Sequence, residues 1–165
     1  MKLSLSFDAP KGKIKAITSK SVAHRLLICS AFADAPTRIL CEETNKDIEA
    51  TAACLDALGA NIQRNAPYYD VIPVSPENIT RGATLPCGES GSTLRFLLPI
   101  CACLDGDFTF EMRGRLPSRP LSPLWEEMER MGCTLSRPTE DTISCTGRLK
   151  SGPYAISGNI SSQFI

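Results

Sequence analysis

The sequence predicts an α/β protein (α+β repeats) assembled from copies of one βαβαββ unit. Three observations predict it. Apolar residues switch repeatedly between a period of two and a period near 3.6, so short strands alternate with helices. The chain also resembles itself, at an offset that stays between 70 and 73 residues. That offset exceeds the roughly 20–50 residues of a solenoid repeat, so each copy is a supersecondary unit of several elements.

The copies are seen by superposing segments. SKSVAHRLLICSAFADAPTRIL from Ser19 lies over ESGSTLRFLLPICACLDGDFTF from Glu89, which sets Arg25 over Arg95 and Leu27 over Leu97. LDALGANIQR from Leu55 lies over MERMGCTLSR from Met128, and TLPCGES from Thr84 over YAISGNI from Tyr154. Units are therefore expected at about 13–83 and 84–153, with the start of a third at 154–165. A helix cut after about one turn cannot offset the cost of its nucleation. The sequence thus reads as a truncated first domain over 17–165, preceded by an N-terminal segment, 1–16.

Each element has its own signal. Lys13–Ile17 is expected as a strand. Ser21–Ala33 is expected as a helix with Val22, Leu26, Cys29 and Ala33 on one face, ended by Asp34-Ala35-Pro36. Thr37–Cys41 is β-like. Asp47–Leu58 carries Ile48, Thr51, Ala52, Leu55 and Leu58 at helical spacing, with Gly59 as its stop. Strands at Asn61–Arg64 and Tyr69–Val74 close the first unit. In the second, the helix Ser92–Leu104 contains Pro99, which has no N–H to donate. A strand at Phe108–Met112 follows, then a helix at Leu121–Met131 with Pro120 in its first turn. Strands at Thr134–Arg137 and Thr142–Cys145 complete the order.

Composition removes several function classes. The 165 residues hold 18 basic and 18 acidic side chains, so bulk attraction to nucleic acid or an anionic bilayer is not expected. Aromatic residues are only 6% and are not interleaved with basic ones, which argues against a base-stacking platform. No apolar run approaches the ~20 residues of a membrane-spanning helix. The opening MKLSLSFDAPKGK lacks the apolar core of a secretory signal, so a cytoplasmic location is expected. Eight cysteines without a C-x-x-C pair read as small buried hydrophobes. A single histidine, His24, excludes a two-His zinc site. Neither G-x-S-x-G, nor a phosphate-loop, nor a dinucleotide-binding glycine pattern is present.

What remains is anion chemistry. Each unit opens its first helix with small hydroxylated residues: Ser19-Lys20-Ser21, Ser90-Gly91-Ser92-Thr93 and Ser161-Ser162. Free N–H groups and a partial positive charge at a helix start can hold phosphate or carboxylate. Any one of these could equally be an ordinary N-cap. Three at equivalent places, with Lys20, Arg25 and Arg95 beside two of them, favour a site for small polyanions. Arg25 and Arg95 lie one turn into their helices, where a guanidinium could turn back to the same anion. Arg113, Arg115 and Arg119 form a second basic cluster in a Gly- and Pro-containing loop. These residues do not by themselves define a reaction.

Four segments together resemble the EPSP synthase family, the 3-phosphoshikimate 1-carboxyvinyltransferases. They are SKSVAHRLLICSAFA, CGESGSTLRFLLP, LPSRPLSPL and GNISSQFI, in the family's order and spacing. The resemblance implies an enolpyruvyl transferase-like fold: two domains, each of three βαβαββ units in an inside-out α/β barrel, with helix N-termini facing the cleft between them. It implies transfer of the enolpyruvyl group of phosphoenolpyruvate to the 5-hydroxyl of shikimate 3-phosphate, with release of phosphate. By motif position, Lys20 would be catalytic and touch both substrates. Ser21, Arg25, Ser161, Ser162 and Gln163 would hold shikimate 3-phosphate, while Gly91, Arg119 and Gln163 would hold phosphoenolpyruvate. Arg95 and Ser92 are possible further contacts. No metal or organic cofactor is implied, and the full-length enzyme would be a monomer.

Two departures accompany the resemblance. Glu89-Ser90-Gly91-Ser92 stands where the family commonly has Asn-Ala-Gly-Thr, which puts a carboxylate near bound anions unless it turns away or pairs with a cation. The family's acid and base carboxylates come from the second domain, and the segment 1–16 normally pairs partly with that domain. The UDP-N-acetylglucosamine enolpyruvyl transferases share the fold but resemble this chain less, since they place Asn where Ser21 stands and a Cys in the loop at Gly114–Ser118. A non-catalytic anion-binding module is the alternative from a different class.

Overall fold

Local sequence sets where the helices begin in the computed structural model, which describes residues 11–14, 16–159 and 163. Helix α1 (Lys20–Ala31) starts after Ser19, and α2 (Lys46–Ala57) after Asn45, whose side chain accepts from the Asp47 and Ile48 amides. Between and after them lie β1 (Thr37–Leu40), β2 (Asn61–Asn65) and β3 (Tyr68–Ile72), followed by a 3-10 turn at Pro76–Asn78. Then come β4 (Thr84–Gly88), α3 (Gly91–Cys103), β5 (Phe108–Met112), α4 (Leu124–Arg130), β6 (Cys133–Ser136) and β7 (Thr142–Gly147). The first three strands form an antiparallel sheet in the order β1-β3-β2. The other four form a mixed sheet in the order β4-β5-β7-β6, in which β4 and β5 run parallel.

Alternation along the strands fills the core. Leu85 and Cys87 of β4, Phe108, Phe110 and Met112 of β5, and Ile143 and Cys145 of β7 are all buried. Helix α2 joins the two halves of the chain. It packs on α1 and on β2, and also across onto β4 and α3, so a single hydrophobic cluster runs through both sheets.

Several expectations are corrected here. No strand forms among the described residues of 13–17: Ile14 is 97% and Ile17 78% exposed, so neither gains the burial that would hold a strand on the edge of β1. Helix α1 buries Ala23, His24, Leu27, Ser30 and Ala31, leaving Val22, Leu26 and Cys29 exposed. The small residues Ala23 and Ala31 suit a close approach of α2. Helix α4 starts at Leu124 rather than Leu121, because Pro123 offers no N–H and disfavours helical backbone at Ser122. Cys103 is exposed, like Cys29, while the other six cysteines are buried as expected. Most of the expected third unit's helix start, Ser161 and Ser162 included, lies outside the described residues, as does most of segment 1–16.

The chain beyond β7 is held by an ion pair on α4. Arg130 donates twice to the Glu127 carboxylate, at 2.8 and 2.6 Å, and once to the Pro153 carbonyl at 2.7 Å. The Ala155 amide donates to the same carboxylate. Arg130 first, and then that amide, hold the Glu127 pKa down to about 2 from an ordinary 4.5. A carboxyl depressed on folding stabilises fully above its unfolded value, and that contribution is lost as pH falls from 4.5 towards 2. Urea unfolding followed between pH 6 and pH 2 should therefore show a steeper acid loss for the wild type than for Glu127→Gln. Parallel profiles would remove the ion pair from the account.

Candidate anion-binding site

The N-terminal ends of α1, α2 and α3 meet. Lys20, the first residue of α1, donates from Nζ to the Asp47 carboxylate in the first turn of α2, at 2.7 Å. The Asp47 carbonyl in turn lies 3.4 Å from the Thr93 hydroxyl in the first turn of α3. Ser19 makes no side-chain cap on α1, so the helix start beside Lys20 and Ser21 stays open to solvent. Lys20 and Gly91 therefore stand at the same end of the helix layer.

The start of α3 carries the densest cluster. Gly91 is buried, and a Cβ placed there would lie 2.7 Å from Arg95 Nη1 and 3.1 Å from Arg119 Nη1, so two guanidinium groups converge on its missing side chain. Burial, and then the charge of Arg119, push the Arg95 pKa down. Two like charges held at the positive end of a helix make an electropositive spot that an anion would relieve. Arg95 Nη1 donates to Gln163 Oε1 at 3.0 Å and Nη2 to the Pro120 carbonyl at 3.2 Å. The Gln163 amide closes the group by donating to Ser92 Oγ at 2.7 Å. Gly91, Ser92 and Arg95 of α3 are thus in one place with Arg119 and Gln163, which lie far from them in sequence.

Arg25 turns back along α1 and donates to the Ser21 carbonyl at 3.0 Å, while its guanidinium sits 4.7 Å over the Phe96 ring of α3. A cavity of about 270 Å³ lies between the two helices, and Arg25, Arg95 and Gln163 share its lining with Phe96 and Ile100. Arg113 and Arg115 stay exposed on their loop. Glu89 is exposed, with its carboxylate against Gly114 Cα, where φ is +58° and a Cβ would strike it. The carboxylate thus rests on the loop after β5. Gly114→Ala should push it off that loop and weaken phosphate binding, measured by calorimetry; unchanged affinity would mean the position of Glu89 does not matter.

One feature of the site carries no sequence motif. His24 of α1, Thr51 of α2 and Thr93 of α3 are fully buried and joined by hydrogen bonds, and the line continues to Ser90, the N-cap of α3. The available signal was polar residues at the buried positions of amphipathic helices, and it names no partner. Burial pushes the His24 pKa down; Lys20 and Arg25 act in the same direction and Asp47 against it, so the ring is neutral at pH 7.

A family model described as EPSP synthase (3-phosphoshikimate 1-carboxyvinyltransferase) matches residues 8–165. Among curated proteins, the 3-phosphoshikimate 1-carboxyvinyltransferase of Clostridium beijerinckii is 40% identical over 161 residues, a match covering 93% of this chain and 37% of that protein. Its counterpart in Clostridioides difficile is 37% identical over 164 residues, covering 93% of this chain and 38% of that protein. Among solved structures, EPSP synthase from Acinetobacter baumannii superposes with a TM-score of 0.79 at 24% identity, over 93% of this chain and 36% of that one. A likeness at that identity shows the fold, an alternating α/β arrangement with a mixed sheet of the enolpyruvyl transferase kind. The chain spans little more than a third of the length of these relatives.

Proposed function

Since the chain belongs to the EPSP synthase family, we propose that it forms the part of a 3-phosphoshikimate 1-carboxyvinyltransferase that gathers and orients two anionic substrates. The observation that carries this reading is the convergence of Arg95 and Arg119 on Gly91 at the start of α3. The backbone there is bare of a side chain, the helix end is positive, and two cations are already close together.

In the proposed reaction the 5-hydroxyl of shikimate 3-phosphate gives up its proton to a base and its oxygen bonds to C2 of phosphoenolpyruvate, while an acid adds a proton at C3. The tetrahedral adduct then loses a proton from C3 and phosphate from C2, which restores the double bond in the enolpyruvyl ether. Both substrates carry several negative charges and repel each other. Fixed cations and helix ends offset that repulsion and hold the pair for attack. Lys20 is assigned to both substrates, and Ser21, Arg25, Ser161, Ser162 and Gln163 to shikimate 3-phosphate. Gly91, Arg119 and Gln163 are assigned to phosphoenolpyruvate, with Arg95 and Ser92 supporting them. The acid and base carboxylates are assigned to a second domain, with a cytoplasmic setting for the whole enzyme.

Two measurements test this. Calorimetry of the 165-residue chain with shikimate 3-phosphate should show weak binding that falls at least tenfold in Lys20→Ala and in Arg25→Ala. The Lys20–Asp47 pair is partly exposed, at 47% and 30%, so its loss should change stability by about 0–1 kcal/mol only. Unchanged affinity in both variants would remove them from the site. Phosphate release with both substrates should be absent from this chain alone, since the carboxylates assigned to the second domain are not in it. Turnover near that of a full-length relative would overturn the assignment.

A further inference from the structure

We propose that His24 is a positioning residue: through Thr51 and Thr93 it fixes Ser90, the N-cap of α3, and with it the bare backbone of Gly91 at which an anion would sit. The distances are 2.6 Å from His24 Nδ1 to Thr51 Oγ1, 2.6 Å from there to Thr93 Oγ1, and 2.7 Å on to Ser90 Oγ. His24, Thr51 and Thr93 are fully buried and Ser90 is 1% exposed, so no water competes for these bonds.

Each hydroxyl has one proton, and this orders the whole line. The Thr93 hydroxyl has two acceptors, Ser90 Oγ at 2.7 Å and the Asp47 carbonyl at 3.4 Å, and its one proton goes to the nearer; Ser90 Oγ also accepts from the Thr93 amide at 3.3 Å. Thr93 Oγ1 must then accept from Thr51, and Thr51 from a protonated His24 Nδ1. This leaves Nε2 as a bare acceptor, and Nε2 is buried without a partner among the described residues. An orphaned acceptor is tolerated better than an orphaned N–H, so the same tautomer is favoured at both ends of the line. Ser90 Oγ accepts twice and donates to no described residue. It sits next to Gly91, where Arg95 and Arg119 converge. That the anion is phosphoenolpyruvate rests on the function proposed above; the order of protons does not.

The chain has a single histidine, so a nitrogen–proton correlation spectrum of the imidazole is unambiguous. It should show Nδ1 protonated and Nε2 bare at pH 7, and the reverse tautomer would overturn the proposal even if every variant failed to fold. Calorimetry with phosphoenolpyruvate, and with inorganic phosphate as a plain anion, supplies the second readout. Thr51→Val and His24→Leu should weaken both by about three- to tenfold and leave shikimate 3-phosphate affinity unchanged. His24→Asn, whose amide can donate to Thr51, should restore most of the loss. Equal losses for all three ligands, or unchanged phosphate affinity in Thr51→Val, would overturn the positioning role. If phosphate binds and phosphoenolpyruvate does not, the proposed function fails, and the role of His24 is decided by the phosphate data.

Discussion

Leu55→Ala is expected to destabilise the chain by about 2–5 kcal/mol, the range for emptying a closed core site. Leu55 is fully buried on α2, and α2 is the element that touches both halves of the molecule. Its neighbour Cys54 lies with Sγ 4.0 Å from Cys87 Sγ of β4, so the helix sits tightly on the second sheet. A void there loosens the packing of α1 on one side and of β4 and α3 on the other. Urea unfolding should show a lower midpoint with an unchanged slope. By comparison, Arg38→Ala removes an ion pair to Asp70 in which the Arg38 side chain is 65% exposed, and solvent screening should make the cost of its loss far smaller. A loss below 1 kcal/mol in Leu55→Ala would mean that the halves are not held by α2.

The same contrast explains which parts of the molecule could be read in the sequence. Helix α2 and strands β2, β3, β5, β6 and β7 came from period, because each turns one face inward and one to water and so prints its own pattern. Helix α1 was legible too, but its buried face was not, the helix being apolar on more than one side: the pattern of Val22, Leu26 and Cys29 is as regular as that of Ala23, Leu27 and Ala31. Only the partner helix decides between them. The segment at 13–17 alternates like a strand, but alternation gives nothing without a sheet to bury one face, and Ile14 stays in solvent. Within the candidate site, Lys20, Ser21, Gly91 and Ser92 were legible because a helix start is a local property. Arg95 with Gln163 is a pair separated by 68 positions, and His24 with Thr51 by 27. Such meetings are fixed by helix packing and leave no spacing to find. The resemblance to a known family supplied Arg119 and Gln163; the residues alone offered only a basic loop.

Gly91→Ala should separate binding from folding more cleanly than any other single change. Gly91 is the first residue of α3 and does not have a positive φ, so alanine fits the backbone there. Replacing glycine by alanine at a compatible position restricts the unfolded chain and stabilises by about 0.4–1 kcal/mol. The added methyl, however, would stand 2.7 Å from Arg95 Nη1 and 3.1 Å from Arg119 Nη1. Both guanidinium groups end long side chains and can move, so the fold survives and the cationic cluster does not. Moving Arg95 also pulls on Gln163, which it holds at 3.0 Å. Phosphoenolpyruvate and phosphate affinity should fall at least tenfold, or about 1.4 kcal/mol, while the melting temperature holds or rises. A variant that melts lower and binds as tightly as the wild type would reverse both signs, and with them the idea that the bare backbone of Gly91 is kept for an anion.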